Sequence, residues 1–112
     1  MNRRYRLSNS SDFQRVRRTG TSYAHPLAVL VVSHGDSPLT RFGFSAGRSL
    51  GGAVQRNRAK RLLREAVRHH LAEVRPGWDA VFIARAPILG ASWKEIEAGV
   101  NQLLHTSGLL DG

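Results

Sequence analysis

The chain has 112 residues, 41% of them hydrophobic, and a formal net charge of +9. That length makes one domain the default and supports one modest core. The lack of cysteine excludes a disulfide framework and a Cys-based zinc site and fits a reducing compartment, while the longest apolar run, Leu27–Val32, is far short of a membrane span.

Ser10-Ser11-Asp12, after Leu7-Ser8, reads as a helix start with a hydroxyl cap and an acid in the first turn. Phe13 and Val16, three apart, make its apolar stripe, and Gly20 ends it. A weak extended piece, Thr21–Tyr23, follows. Leu27–Ser33 is apolar on both faces and rich in β-branched residues, which predicts a central strand covered on both sides. His34–Pro38 is a turn. In Arg41–Ala46, Phe42, Phe44 and Ala46 alternate with Gly43 and Ser45. The aromatic face belongs to a core, and the small-residue face lets another backbone or a ligand approach closely. Gly47–Gly52 is a glycine-rich turn carrying Arg48.

Ala53–Arg68 is the most informative stretch. It holds Arg56, Arg58, Lys60, Arg61, Arg64 and Arg68 against one acid, Glu65. At the helical period, Ala59, Leu62, Leu63, Ala66 and Val67 share a sector roughly 140° wide. Asn57, Arg58, Lys60, Arg61, Arg64 and Arg68 share the opposite sector, roughly 160° wide, with Arg56 at its boundary. The spacing predicts a helix running to about His70 or Ala72, with one buried face and one cationic face. A merely solvated face usually mixes signs at i,i+4 spacing. Cations at a helix N-terminus also oppose its dipole. Both points favour an external polyanion.

Pro76-Gly77 breaks the chain, Asp79–Arg85 reads as another buried strand, and Pro87–Gly90 as a turn. Ser92 and Glu95 fit a capping box. Trp93, Ile96, Val100, Leu103 and Leu104 then line the buried side of a last helix. The order α-β-β-β-α-β-α predicts an α/β (α+β) two-layer sandwich with a small four-stranded sheet, in one domain spanning residues 1–112.

Charge distribution sharpens the functional reading. Six arginines lie in residues 1–18 and eight basic residues in 41–70, fourteen of the 17 Lys and Arg in all, against only Asp12 and Glu65. Such clustering is the footprint of a nucleic-acid-binding domain. Arginine dominates, and its fork suits phosphates and stacks on bases. The basic N-terminus has no apolar segment after it, so no signal peptide is expected. The basic helix lacks the Trp or Phe of an interfacial anchor, so no membrane partner is expected either. The histidines form no i,i+4 pair, and the acids are scattered. Neither protein catalytic residues nor a protein metal site is expected. Gly47–Gly52 lacks the GK[ST] ending of a nucleotide loop, which speaks against a small-molecule substrate. Its backbone N–H groups and Arg48 suit a nucleic-acid phosphate instead. Phe13, beside Arg15, Arg17 and Arg18, suits stacking on a single-stranded base. Periodicity alone leaves that role open against core packing.

The block Phe44–Arg68, FSAGRSLGGAVQRNRAKRLLREAVR, resembles the signature of the bacterial ribonuclease P protein component. Leu7, Asp12-Phe13, Val16 and Gly20 before it, Arg41-Phe42-Gly43 at its edge and Ile83-Ala84-Arg85 after it agree in order, so the resemblance spans roughly residues 4–105. It implies a left-handed β-α-β crossover through the basic helix, against the usual right-handed rule. It implies a cytoplasmic protein whose partners are the catalytic RNA of ribonuclease P and precursor tRNA. The RNA would carry the catalytic groups and the Mg ions, and the products would be the freed 5′ leader and a 5′-phosphate on tRNA. Arg56, Asn57, Arg58, Lys60, Arg61, Arg64 and Arg68 match the motif helix that docks on the RNA. Phe13 matches an aromatic of the leader-binding cleft. Arg17 stands where relatives often carry a second cleft aromatic, Val31 where some carry a tyrosine on the cleft strand, and Arg48 matches a cation at the cleft edge. A generic RNA-binding or ribosomal protein would explain the charge but not Phe13 placed with the signature. A self-sufficient nuclease would need a constellation the sequence does not display.

Overall fold

The computed structural model describes residues 1–111. Its elements are α1 (Ser10–Thr19), β1 (Thr21–Ala24), β2 (Ala28–His34), β3 (Arg41–Ala46), α2 (Ala53–Arg68), β4 (Trp78–Ala84) and α3 (Trp93–Thr106), in the expected order. The strands form one sheet in the order β1-β2-β4-β3. β2 is antiparallel to β1 and β4, whereas β3 and β4 are parallel neighbours. A parallel pair needs a long crossover, and α2 supplies it.

Alternation along each strand divides the side chains between two faces. On one face Leu30, Val32, Phe42, Phe44 and Phe82 meet Ala59, Leu63, Ala66 and Val67 of α2 and Ile96, Val100, Leu103 and Leu104 of α3. This is the main core, and Phe82 stacks between Phe42 and Phe44 at centroid distances of 6.3 and 6.1 Å. On the other face Val31 and Val81 pack with Leu7 and Val16, edged by Phe13, Val29 and Ile83. The sheet and the α2–α3 pair make the sandwich, and α1 covers part of the opposite face.

Several local details differ from the sequence reading. The cap of α1 is an amide rather than a hydroxyl: Asn9 Oδ1 accepts from the backbone N–H of Ser11 at 2.9 Å. Asn is as good an N-cap as Ser, and it occupies the residue just before the first helical one. Gly20 does close α1, in extended backbone. Its value is room, since a Cβ there would lie 2.6 Å from the Val16 carbonyl oxygen and 2.8 Å from Val31 Cγ1. α2 ends at Arg68, short of the predicted end at about His70 or Ala72, and turns follow. Trp93, the first residue of α3, is 40% exposed and does not line the core. Gly99 is buried on α3, with the His25 ring against it.

The predicted capping box is present. Glu95 N–H donates to Ser92 Oγ at 3.2 Å, and Ser92 N–H donates to Glu95 Oε1 at 2.8 Å. These hydrogen bonds hold the Glu95 carboxyl below its ordinary pKa. Ser92→Ala is expected to lower stability by about 1 kcal/mol, measured by urea unfolding.

Candidate nucleic-acid interface

α2 buries Ala59, Leu63, Ala66 and Val67, and the rest of its surface is not one uniform face. Asn57, Arg58, Arg61 and Arg68 are exposed, whereas Arg56, Lys60 and Arg64 are half-buried. The second group is spaced by four residues and forms one stripe. It runs along the flank of α2 that meets the edge of β3. There the N-terminal segment pairs with β3, Leu7 N–H donating to the Phe42 carbonyl at 2.8 Å. Arg6, Ser8, Phe13, Phe44, Lys60 and Arg64 line a hollow of about 160 Å³ at this edge.

The hollow is cationic. The Arg64 guanidinium lies 5.5 Å from the centroid of the Phe44 ring, a cation–π distance. Burial lowers the Arg64 pKa, and the charges of Arg6 and Arg61 lower it further. Buried Nε donors of Arg56 and Arg64 lack a hydrogen-bond partner among the described residues. Such donors are costly unless something satisfies them. On the outer face Arg68 pairs with Glu65 at 3.1 Å. Among the described residues Arg58 and Arg61 have no salt bridge. Val54, one turn before Arg58, is 79% exposed.

The α1 face of the sheet is ordered in three rows set by the strand register. The first row, Ala24, Val29, Ile83 and Ser45, runs across all four strands. None of these four is buried. The second, Ser22, Val31, Val81 and Gly43, is buried from Val31 onward beneath α1. The third is Ser33, Asp79 and Arg41.

Phe13 sits over the second row. A Cβ on Gly43 would lie 2.5 Å from Phe13 Cζ, so the glycine is the seat of that ring. The small-residue face predicted for β3 thus receives a neighbouring aromatic. Phe13 stays half-buried, and Arg17, one turn on, is exposed. Arg48 is exposed in a 3₁₀ turn just beyond the end of β3.

Val31 requires a correction. It is only 3% exposed, covered by α1 at Gly20, and its side chain offers no surface to a ligand. The accessible apolar floor is Val29 and Ile83, one row over. They lie on the α1 face with Val31, and how far α1 extends over the rows is not encoded in the sequence pattern. Arg6 was also missed as a member of the hollow. Its signal was its position one residue before Leu7, in a segment that reads as irregular.

Among the described residues no group of three or more His, Asp or Glu could hold a metal ion. No helix is long and apolar enough to cross a membrane.

The family model for Ribonuclease P matches residues 1–108. A ribonuclease P protein component of Herpetosiphon aurantiacus is 44% identical over 109 residues, covering 97% of this chain and 89% of that protein. One from Symbiobacterium thermophilum is 45% identical over 111 residues, covering 98% and 96%. Among solved structures, the RNase P protein of Staphylococcus aureus superposes with a TM-score of 0.86 at 29% identity, over 96% of this chain and 98% of that one. The Thermotoga maritima RNase P protein gives 0.80 at 25% identity, over 90% and 96%.

Proposed function

The chain belongs to the ribonuclease P protein family, as the protein subunit of that tRNA-processing endoribonuclease, and from this premise we propose how its basic surfaces divide the work. The outer face of α2, with Asn57, Arg58, Arg61 and Arg68, docks on the catalytic RNA. The flank stripe of Arg56, Lys60 and Arg64, joined by Arg6, carries positive potential around the edge of β3 toward Phe13. Phe13, Arg17 and Arg48 receive the single-stranded 5′ leader of precursor tRNA, over the Val29–Ile83 floor.

The observation that carries this reading is the hollow at the β3 edge. It puts cations of the motif helix and the Phe13 ring on one surface, although α1 and α2 lie on opposite faces of the sheet. A polyanion can therefore touch both without crossing the core. The Arg64 guanidinium lines that hollow, and an arginine fork suits phosphate oxygens.

The protein's part is electrostatic. Two RNAs must approach closely, and each arginine that neutralises a phosphate releases counterions. Association should weaken steeply with salt. The donor set around Phe13 is cationic and does not fit a protein-held magnesium ion, so we assign the magnesium to the RNA. A cytoplasmic location accords with these partners.

The test is cleavage of a precursor tRNA at low magnesium by protein alone, bacterial ribonuclease P RNA alone, and the two together. Cleavage is expected with the mixture and not with the protein alone. Cleavage by protein alone would reveal a catalytic site in the chain. No gain on mixing would reduce the chain to a generic RNA binder.

A further inference from the structure

Asp79 is 0% exposed and holds two arginines from two other elements. Arg41 grips it with a fork, Nε to Oδ1 and Nη2 to Oδ2, both at 3.0 Å. Arg15 of α1 donates from Nη2 to Oδ2 at 2.5 Å. The loop after β2 closes over the carboxylate, and a Cβ on Gly35 would lie 2.8 Å from Oδ1. These contacts raise the pKa of both arginines, hydrogen bonding to Asp79 being the largest cause.

A buried ion pair is poor evidence for stability, because well-packed apolar residues of similar volume often hold a fold as well. The informative point is which elements this pair joins. β3 and β4 are already tied by their own ladder, so Arg41 adds little to their placement. α1 has no such ladder. It is ten residues long with Val16 as its buried residue, and a helix this short is marginal in water on its own. Its position depends on a few side-chain anchors.

Phe13 and Arg15 are two residues apart, about 200° around the helix, and leave α1 on opposite flanks. One flank rests on Gly43 and the other is tied to Asp79. Two anchors on opposite flanks fix the roll of a helix about its axis. A roll of about 20° would move a ring about 6 Å from the axis by about 2 Å.

We propose that Asp79 is a positioning residue for the leader cleft: through Arg15 it fixes the roll of α1, and so the places of the Phe13 ring and Arg17. This rests on the leader-binding reading given above.

The experiment measures affinity for leader-bearing precursor and for mature tRNA, in holoenzyme reconstituted with ribonuclease P RNA, for wild type, Asp79→Asn, Arg41→Gln and Phe13→Ala. Asp79→Asn removes a negative charge, so electrostatics alone would tighten both RNAs. Positioning requires the opposite for the precursor: the precursor-to-mature ratio falls by about 5- to 10-fold, part of a stacking contact. Arg41→Gln leaves the α1 tether and should keep the wild-type ratio. An unchanged ratio in Asp79→Asn, with a reduced ratio in Phe13→Ala, would overturn the proposal. An unchanged ratio in Phe13→Ala would instead overturn the leader reading beneath it. If Asp79→Asn does not fold, Arg15→Gln and Arg15→Lys decide. A ratio reduced in the first and restored in the second supports the tether, and a wild-type ratio in Arg15→Gln overturns it.

Discussion

Replacing Arg58 and Arg61 together with alanine should weaken binding to ribonuclease P RNA by about 10- to 100-fold at moderate salt, or roughly 1.4–2.8 kcal/mol. Both side chains are exposed and neither has a salt bridge among the described residues. Neither caps the helix, whose N-cap is Gly52 with no side-chain hydrogen bond. Their removal therefore breaks no side-chain hydrogen bond or salt bridge among the described residues. Alanine is the better helix former, and the change relieves like-charge pressure, since Arg61 already lowers the pKa of Arg64. The unfolding midpoint should stay the same or rise slightly. Loss of affinity without loss of stability would mark a surface made for a partner. A salt titration adds a second check, because two fewer phosphate contacts should flatten the dependence of affinity on salt. Unchanged affinity at moderate salt would remove the docking role from the outer face of α2.

The basic helix was legible because its periodicity is strong. Of Ala59, Leu62, Leu63, Ala66 and Val67, read as inward-facing from spacing, α2 buries all but Leu62, which is half-buried against the core. The division of its cations into an outer face and a flank stripe was not legible. A helical wheel separates core from non-core, but it does not say which neighbour closes on one flank. Here the neighbour is the segment before α1, paired to the edge of β3. That contact depends on the strand order β1-β2-β4-β3, which no local pattern encodes.

Val31 and Asp79 illustrate the same limit. Leu27–Ser33 correctly read as apolar on both faces. Whether Val29 or Val31 stays accessible depends on how far α1 reaches over the sheet, set by the Gly20 contact and by Arg15. The sequence places Asp79 only as the first residue of a buried strand. Its partners Arg15 and Arg41 are 64 and 38 residues away in sequence, and only the register of β3 on β4 and the seat of α1 bring them together. The capping box at Ser92, by contrast, is wholly local and matched residue for residue.

Phe13→Ala should cost the holoenzyme about 10-fold in affinity for leader-bearing precursor, within the roughly 1–3 kcal/mol of a base–aromatic stack. Affinity for mature tRNA, which lacks the leader, should change by less than about 2-fold on the same argument. The contrast matters because Phe13 also packs in the fold. It edges the small cluster of Leu7, Val16, Val31 and Val81 and lies against Gly43, so truncation removes contacts whether or not RNA is present. A fully buried Phe→Ala change costs about 3–5 kcal/mol, and this half-buried one should cost less. Thermal unfolding measures that part. Instability alone would depress both RNAs alike, because it lowers the amount of folded subunit. Only a ring that touches the leader separates them. Arg17 stands one turn further along α1 as an exposed cation. Leader binding here should therefore combine one stacking contact at Phe13 with phosphate contacts at Arg17 and Arg48, and should be the more salt-sensitive for it. Equal losses for precursor and mature tRNA would assign Phe13 to packing alone and leave the leader path to the arginines.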